Sequence, residues 1–465
     1  MFKPVEGRPD FPKMERDVLQ FWQETDAFRK LLEKNRGNEP WSFIDGPITA
    51  SNKMGVHHGW GRTYKDIYQR YHAMLGYDQR YQNGFDCQGL WVEVEVEKDL
   101  GFNSKREIER YGLDRFARAC RERVMKYAAE ITRASERLGQ WMDWDDSYYT
   151  MSDTNIEYIW HFLNKCHTNG WLYRGTRSMP WCWRCGTSLS QHEMIDSYEE
   201  VTHRSIFLRL PLTSPGHENE SLLVWTTTPW TLTANVAAAV HPELDYARLQ
   251  QGDEVLYLSR GTLPRLQGEY EDLGTVKGAE LVGLAYRGPF DELEAVSGVE
   301  HKVIAWEAVG EEEGTGIVHI APGCGAEDFE LSKVNGLAVL VPLNEDGSYV
   351  SRYGQFTGQH VTDVAEPIFE SLREKGLLYH LEDYTHRYPV CWRCHTDLVF
   401  RVATEWYIGV EEIRPRMMRA ASEVKWIPEY AGKRMQNWLT NMGDWNISRK
   451  RYWGLVLPFY VCDCG

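Results

Sequence analysis

Trp181-Cys182-Trp183-Arg184-Cys185 and, far downstream, Val390-Cys391-Trp392-Arg393-Cys394 are two copies of one local pattern. Each sets two thiols at CxxC spacing around a Trp-Arg filler, and each follows a proline, Pro180 or Pro389. That spacing suits half of a closed tetrahedral thiolate cage, so Cys182, Cys185, Cys391 and Cys394 are expected to share one structural Zn²⁺. The plainer alternative is four free buried cysteines, and the matched fillers weigh against it. Two half-sites must meet in space. The chain between 186 and 390 is therefore predicted to leave one domain and return to it, which makes the middle of the protein an insertion. His192 and His395 lie nearby, but a complete thiolate set gives them no required role. Cys462-Asp463-Cys464 reads as half of a further site.

A chain of 465 residues is too long for one core and predicts two or three domains. A hydrophobic content of 42% and 19 tryptophans exclude a disordered chain. The net charge of −16 argues against indiscriminate polyanion binding, so a nucleic-acid partner would need a local basic surface. Lys and Arg are interleaved with aromatics over 393–453, a pattern that is more often an ordinary solvated face. Ten cysteines with CxxC pairing point to metal ligation in a reducing compartment, not to a disulfide framework. The start, Met1-Phe2-Lys3-Pro4-Val5-Glu6, has no apolar signal core. The longest apolar run, near Leu337–Val341, is far too short to span a bilayer. No membrane partner and a cytoplasmic location are expected.

Apolar spacing predicts a helix over 11–35 (Phe11, Met14, Val18, Phe21, Trp22, Phe28, Leu31, Leu32) and a short strand over Trp41–Asp45. Gly46-Pro47 turns the chain, a helix follows over 63–75, and Tyr81-Gln82 leads to a glycine turn at Gly84. Strand, glycine loop, helix, strand is a βαβ unit. Further helices are expected over 105–141 and 154–170. After about residue 200 the texture becomes β-rich: Ser205–Leu210, Leu222–Thr228, Val236–Val240, Val255–Leu258, Val303–Ala305, Ile317–Ile320 and Val339–Pro342. Helices over 411–423 and 430–441 and a strand over Leu455–Val461 close the chain. The fold class is thus α/β. A Rossmann-like parallel-sheet domain (1–198, resumed at 387–465) is interrupted by a β-rich, barrel-like domain (199–386), with the cysteine knuckles at the junction.

Residues 46–66 deliver two histidines through small residues to the start of a helix. A helix N-terminus offers free N–H groups and a positive dipole end, which suits phosphate, and imidazoles there can donate to a triphosphate as its charge grows. The alternative is a capping turn around one histidine. Gly46-Pro47-Ile48-Thr49-Ala50-Ser51-Asn52 and the histidines resemble the H-x-G-H signature of class I aminoacyl-tRNA synthetases. In that register His58 takes the second histidine slot, Gly55 takes the first, and His57 takes the glycine slot. Either His57 supplies the missing imidazole from a shifted position or activation is weakened. Gly84-Phe85-Asp86-Cys87-Gln88-Gly89-Leu90-Trp91-Val92-Glu93 is similar to an isoleucyl-tRNA synthetase segment. The resemblance implies that Asp86 holds the amino acid's α-ammonium, with Pro47 and Gln88 beside it. Asp444-Trp445-Asn446-Ile447-Ser448-Arg449-Lys450-Arg451-Tyr452-Trp453-Gly454 is similar to the segment carrying a pocket-wall tryptophan, here Trp453. Turn geometry at Asp86 and ordinary aromatic packing at Trp453 are the bland alternatives.

Trp225-Thr226-Thr227-Thr228-Pro229-Trp230-Thr231-Leu232-Thr233-Ala234-Asn235 resembles the threonine-rich segment of the editing domain in isoleucyl, valyl and leucyl enzymes. Gly314-Thr315-Gly316-Ile317-Val318-His319-Ile320-Ala321-Pro322-Gly323-Cys324-Gly325-Ala326-Glu327-Asp328 resembles its second half. The resemblance implies that Thr226, Thr227, Thr228, Thr231 and Asn235 bind the terminal ribose and orient water. Asp328 would bind the α-ammonium of a misattached amino acid, and His319 would exclude the larger correct side chain. Cys324 stands where a second histidine is common. Rejecting valine from an isoleucine pocket rests on one methylene, about 1–3 kcal/mol, a magnitude known from isoleucyl enzymes themselves rather than deduced from this chain. A second, hydrolytic site supplies the remaining accuracy.

The resemblance therefore implies isoleucine activation with ATP and Mg²⁺, release of pyrophosphate and transfer to tRNA, with editing of valyl-tRNA. No Lys-Met-Ser-Lys-Ser segment is present, and the resemblance accordingly implies an N-terminal portion that a missing C-terminal segment or chain completes. Two other readings stay open: a chain that acts alone only as a tRNA deacylase, and a non-catalytic tRNA-binding relative.

Overall fold

The computed structural model describes residues 7, 9–43, 46–194 and 197–463, apart from the side chains at 191 and 192. Two compact units emerge, one formed by 1–170 with 451–465 and the other by 171–450. Among the described residues no helix is long and apolar enough to cross a membrane.

The first unit is built on a parallel three-stranded sheet of Ile48–Thr49, Gln82–Asp86 and Asp143–Tyr149 in that order. The helix Val56–Met74 connects the first two strands, as a parallel crossover requires. The helix Leu113–Arg137 buries Phe116, Cys120, Val124, Ala128 and Ile131, a spacing of three and four that presents one stripe. That stripe shares a core with Phe85, Cys87, Val92 and Val96.

Several expected elements are corrected. The helix over 11–35 breaks at Asp26, which adopts a left-handed φ of 51°, into Phe11–Thr25 and Ala27–Asn35. The helix over 105–141 breaks at Gly112, with φ 106°, into Lys105–Tyr111 and Leu113–Arg137. Trp41–Phe43 form no strand, and Ile44 and Asp45 lie outside the described residues. Among the described residues the first strand starts just past Pro47, whose nitrogen cannot donate, while Pro40 makes a single bridge to Asp78 and Trp41 stacks on His72 at 3.9 Å between ring centroids. Leu455–Val461 is likewise not a strand, since Val456 and Tyr460 are exposed and Pro458 interrupts the run. Val339–Pro342 also forms no strand.

The second unit is dominated by antiparallel pairing. The outgoing strand Tyr198–Pro211 pairs with the returning strand Leu378–Pro389, from Tyr198 opposite Pro389 to Leu208 opposite Leu378. Its first half (Glu199, Glu200, Thr202, Arg204) is mostly exposed, whereas Ser205–Leu208 is fully buried. A six-stranded sheet continues from this pair through Glu220–Thr226, Glu254–Ser259, Asp245–Gln251 and Glu271–Lys277. A smaller sheet sets Ala237–Val240 between Lys302–Ala305 and Val318–Ile320. Trp181, Leu208, Leu222, Val224, Tyr246, Tyr349, Phe356 and Phe369 lie in one core. Below it, Leu172–Cys182 pairs antiparallel with Val399–Ile408.

Glycines mark the closest approaches. A Cβ on Gly323 would stand 1.6 Å from the Leu340 carbonyl oxygen, a backbone atom that cannot swing aside. Gly323→Ala should therefore lower stability by about 3 kcal/mol in urea unfolding. Gly443→Ala, where a Cβ meets nothing within 4 Å, is the matched control.

Candidate functional site

The parallel strands end at Thr49, Asp86 and Tyr149, so the residues at and just past them gather at the carboxyl edge of the sheet, where ligands bind in open α/β folds. Asp86 is half-buried and accepts from the Thr49 hydroxyl at 2.9 Å. Burial pushes its carboxyl above the ordinary range, while Thr49, the Gln88 backbone and the charge of Arg451 pull it back. Thr150 is the hub of the next turn. Its hydroxyl donates to Gln88 Oε1 at 2.7 Å and accepts from the Cys87 N–H at 2.8 Å. Trp453 Nε1 donates to the Cys87 carbonyl at 2.6 Å, and Gly89 N–H donates to the Trp453 carbonyl at 3.1 Å. Pro47 lines a cavity of about 260 Å³ with Trp41, Phe43, Gln69, Tyr81 and Tyr148, and Gly84 of the strand that carries Asp86 lines it too.

His57 and His58 stand in the first turn of the helix Val56–Met74, their rings 3.9 Å apart. His58 Nδ1 accepts the Gly55 N–H at 3.1 Å, which caps the helix. That bond assigns the neutral ring's proton to Nε2. Burial first, then the neighbouring His57 and Arg62, lower the His58 pKa, so the ring is a neutral donor near pH 7. His57 is exposed. Arg123 fastens the loop before them, donating to the Ser51 carbonyl at 2.8 Å and to Asn52 Oδ1 at 2.9 Å.

In the β-rich unit, the strand Glu220–Thr226 runs into a 3₁₀ turn at Pro229–Ala234. Thr226 Oγ1 accepts the Thr228 N–H at 3.1 Å, and the Thr227 and Thr228 hydroxyls lie 3.4 Å apart. Thr231 Oγ1 lies 2.7 Å from the Thr228 carbonyl and 2.9 Å from His319 Nε2. A hydroxyl has one proton, and the carbonyl can only accept, so His319 Nε2 is the donor to Thr231. Its Nδ1 is then a bare lone pair, buried and without a hydrogen-bond partner among the described residues. Burial lowers the His319 pKa to about 4, which keeps the ring neutral. Asp328, in the first turn of the helix Ala326–Asn335, accepts the Ala321 N–H at 2.7 Å, and burial raises its carboxyl to about 6. The Asn235 amide donates to the Ala237 carbonyl at 3.0 Å and accepts from the Tyr286 hydroxyl at 2.8 Å.

The four sulfurs of Cys182, Cys185, Cys391 and Cys394 all lie within 4.8 Å of one another and could hold a metal ion. Cys182 and Cys394 are 3.5 Å apart, and Cys185 and Cys394 are 3.6 Å apart. A tetrahedral Zn²⁺ with four bonds of about 2.3 Å sets its sulfurs about 3.8 Å apart, so the cage fits that ion. Hydrogen bonding from the Cys182 thiol, foremost, pulls Cys394 and Cys391 below the ordinary thiol range, Cys391 to about 6. Each knuckle turns through a left-handed residue just after its second cysteine, Gly186 at φ 60° and His395 at φ 57°. Cys464 lies outside the described residues.

Residues 17–465 match the tRNA synthetases of class I (I, L, M and V). This chain belongs to that family. It is 43% identical over 471 residues to the isoleucine–tRNA ligase of Thermus thermophilus, covering 100% of this chain and 45% of that protein. It is 39% identical to the isoleucine–tRNA ligase of Methanothermobacter thermautotrophicus, over 97% of this chain and 43% of that protein. Against the isoleucine–tRNA ligase of Streptomyces coelicolor the identity is 38%, over 99% of this chain and 44% of that protein. The chain thus spans less than half the length of the relatives it matches.

Sequence reading of this synthetase missed Thr49, Thr150 and Arg123. Thr49 lies in the loop before the histidines with no signal of its own, and only the parallel register Thr49 opposite Asp86 reveals its partner. Arg123 carries no local signal for this role, since Ser51 and Asn52, the loop groups it holds, lie more than seventy residues away. The purified protein should contain one zinc per chain by elemental analysis. Cys391→Ser should reduce that ratio and lower the melting temperature, and a chelator should do the same to the wild type.

Proposed function

We propose that this chain carries the adenylate-forming and editing sites of an isoleucine–tRNA ligase. The observation that supports this most is the alignment of its whole length with isoleucine–tRNA ligases, to which the geometry of two separate amino-acid sites is added. In the first site the Asp86 carboxylate pairs with the α-ammonium of isoleucine. The charge lost to burial is recovered by that ion pair, which is strong in a sheltered site. The isoleucine carboxylate attacks the α-phosphorus of ATP, the bond to the bridging oxygen breaks, and pyrophosphate leaves. His58, donating through Nε2, and the N-terminus of its helix stabilise the phosphate oxygens as charge develops. His57, at the exposed face of the same turn, is the second donor. Trp453 walls the pocket, with Pro47 and Gln88 shaping its surroundings, and Mg²⁺ accompanies ATP. Zn²⁺ at the four cysteines supplies structure and no chemistry.

The editing site lies within 199–386, the domain that we propose is inserted into a catalytic domain at 1–198 and 387–465. There Asp328 takes the ammonium of a misattached valine on tRNA. The Thr226–Thr231 hydroxyls face the terminal ribose and the attacking water. His319, pinned to Thr231, closes the space that isoleucine would need. A second reading, in which the chain alone only deacylates tRNA, draws support from the ordered Thr228–Thr231–His319 array.

ATP–pyrophosphate exchange should respond to isoleucine far more than to valine or leucine, and His58→Ala should cut it by about tenfold or more. If no aliphatic amino acid supports exchange while valyl-tRNA is still hydrolysed, the second reading replaces the first. Hydrolysis of valyl-tRNA should be lost in Asp328→Ala. Its kcat/KM should rise with pH through about 6, because only the ionised Asp328 binds an ammonium. A profile flat from pH 5 to 8 would remove Asp328 from that role.

A further inference from the structure

Glu93 has no place in the chemistry above, yet it is among the most sheltered carboxylates of the first unit, with a side chain 0% exposed. Its Oε2 accepts Lys105 Nζ at 2.6 Å, and the same ammonium reaches Glu97 Oε1, also 0% exposed, at 2.6 Å. The half-buried Lys105 ammonium is thus shared between two buried carboxylates, and Glu93 takes further donors. They come from far along the chain. Glu93 Oε1 accepts the backbone N–H of Trp453 at 2.6 Å and that of Tyr452. Burial works to lower the Lys105 pKa, and the charges of Glu93 and Glu97 outweigh it, so the ammonium stays charged.

The consequence concerns Trp453. Its peptide is gripped by Glu93 on one side and by the Gly89 N–H on the other, while its indole is tied to the Cys87 carbonyl. Glu93, Gly89 and Cys87 all belong to the turn and first helical turn that follow Asp86. The pocket wall and the ammonium-binding carboxylate are therefore set by one short piece of chain.

We propose that Glu93, fixed by Lys105, is a positioning residue that places Trp453 against the amino-acid pocket and so sets discrimination among aliphatic side chains. This rests on the reading of Trp453 as a pocket wall. Glu93→Gln keeps the size but puts an amide NH₂ among groups that are all donors. Bonds to a carboxylate are roughly twice as strong as neutral ones, so the KM for isoleucine should rise about tenfold in ATP–pyrophosphate exchange. The KM for ATP and kcat should move far less, and the preference for isoleucine over valine should shrink.

Measurements belong on the full-length natural protein, with Trp453→Ala in parallel. If Trp453→Ala leaves the KM for isoleucine unchanged, the pocket-wall reading fails. If it raises KM but Glu93→Gln does not, positioning by Glu93 is overturned while the pocket survives. Glu93→Asp, which keeps the charge beside Lys105 but draws back from the two N–H groups, should shift the KM for isoleucine the same way. Should neither Glu93 variant fold, hydrogen exchange on the wild type decides: slow exchange at the Tyr452 and Trp453 amides is expected, and fast exchange overturns the proposal.

Discussion

The antiparallel pairing of outgoing and returning chain is the constraint on which the second unit depends. Leu172–Cys182 lies along Val399–Ile408, and Tyr198–Pro211 lies along Leu378–Pro389. These ladders bring Cys185 and Cys394, 209 positions apart in sequence, to within 3.6 Å. The entropy of closing so long a loop grows only with the logarithm of its length, so a β-rich insertion of this size costs little more than a short one. What the closure demands is a firm root. Two ladders and a four-thiol cage supply it, and a metal ion at that cage would restrict the unfolded chain most strongly because the loop it closes is long.

The two candidate amino-acid sites meet one physical problem in one way. Each holds a carboxylate that burial has pushed above its ordinary range, Asp86 in the parallel-sheet unit and Asp328 in the β-rich unit. A desolvated carboxylate is costly until a cation arrives, which makes an ammonium a favoured guest. The settings differ beyond that. Asp86 sits at the end of a strand beside the Thr49 hydroxyl, whereas Asp328 sits in the first turn of a helix. A neutral imidazole serves both regions too, with opposite connections: His58 spends Nδ1 on a cap and offers Nε2–H, and His319 spends Nε2–H on Thr231 and leaves Nδ1 bare.

Much of the architecture was legible because it rests on short-range pattern. The CxxC pairs could be matched by their identical fillers, the β-rich texture after residue 200 by its turn punctuation, and the βαβ unit by glycine between two periodicities. Failures came where a single residue's backbone angle decided. Asp26 in a left-handed conformation splits a helix whose apolar spacing runs straight through it. Leu455–Val461 has the composition of a strand, but a strand exists only if a partner's free edge is offered to it. The segment Leu90–Leu100 is instructive in the other direction. Its Val-Glu alternation has the period of a strand, yet it is helical, with Glu93 and Glu97 one turn apart facing Lys105.

The likeness to class I synthetases rested on motif resemblance, whereas residue types and spacings by themselves pointed to one cage for four cysteines and to a histidine-bearing loop that opens a helix. Those are matters of composition and local period, which the chain carries wherever it folds. Only tertiary structure decided which proton sits on which imidazole nitrogen, that Thr49 supports Asp86, and that a glutamate at 93 grips the peptide of a tryptophan at 453. Hydrogen bonds between distant segments obey distance and direction, not sequence spacing, so they exist only once the sheets have set the register.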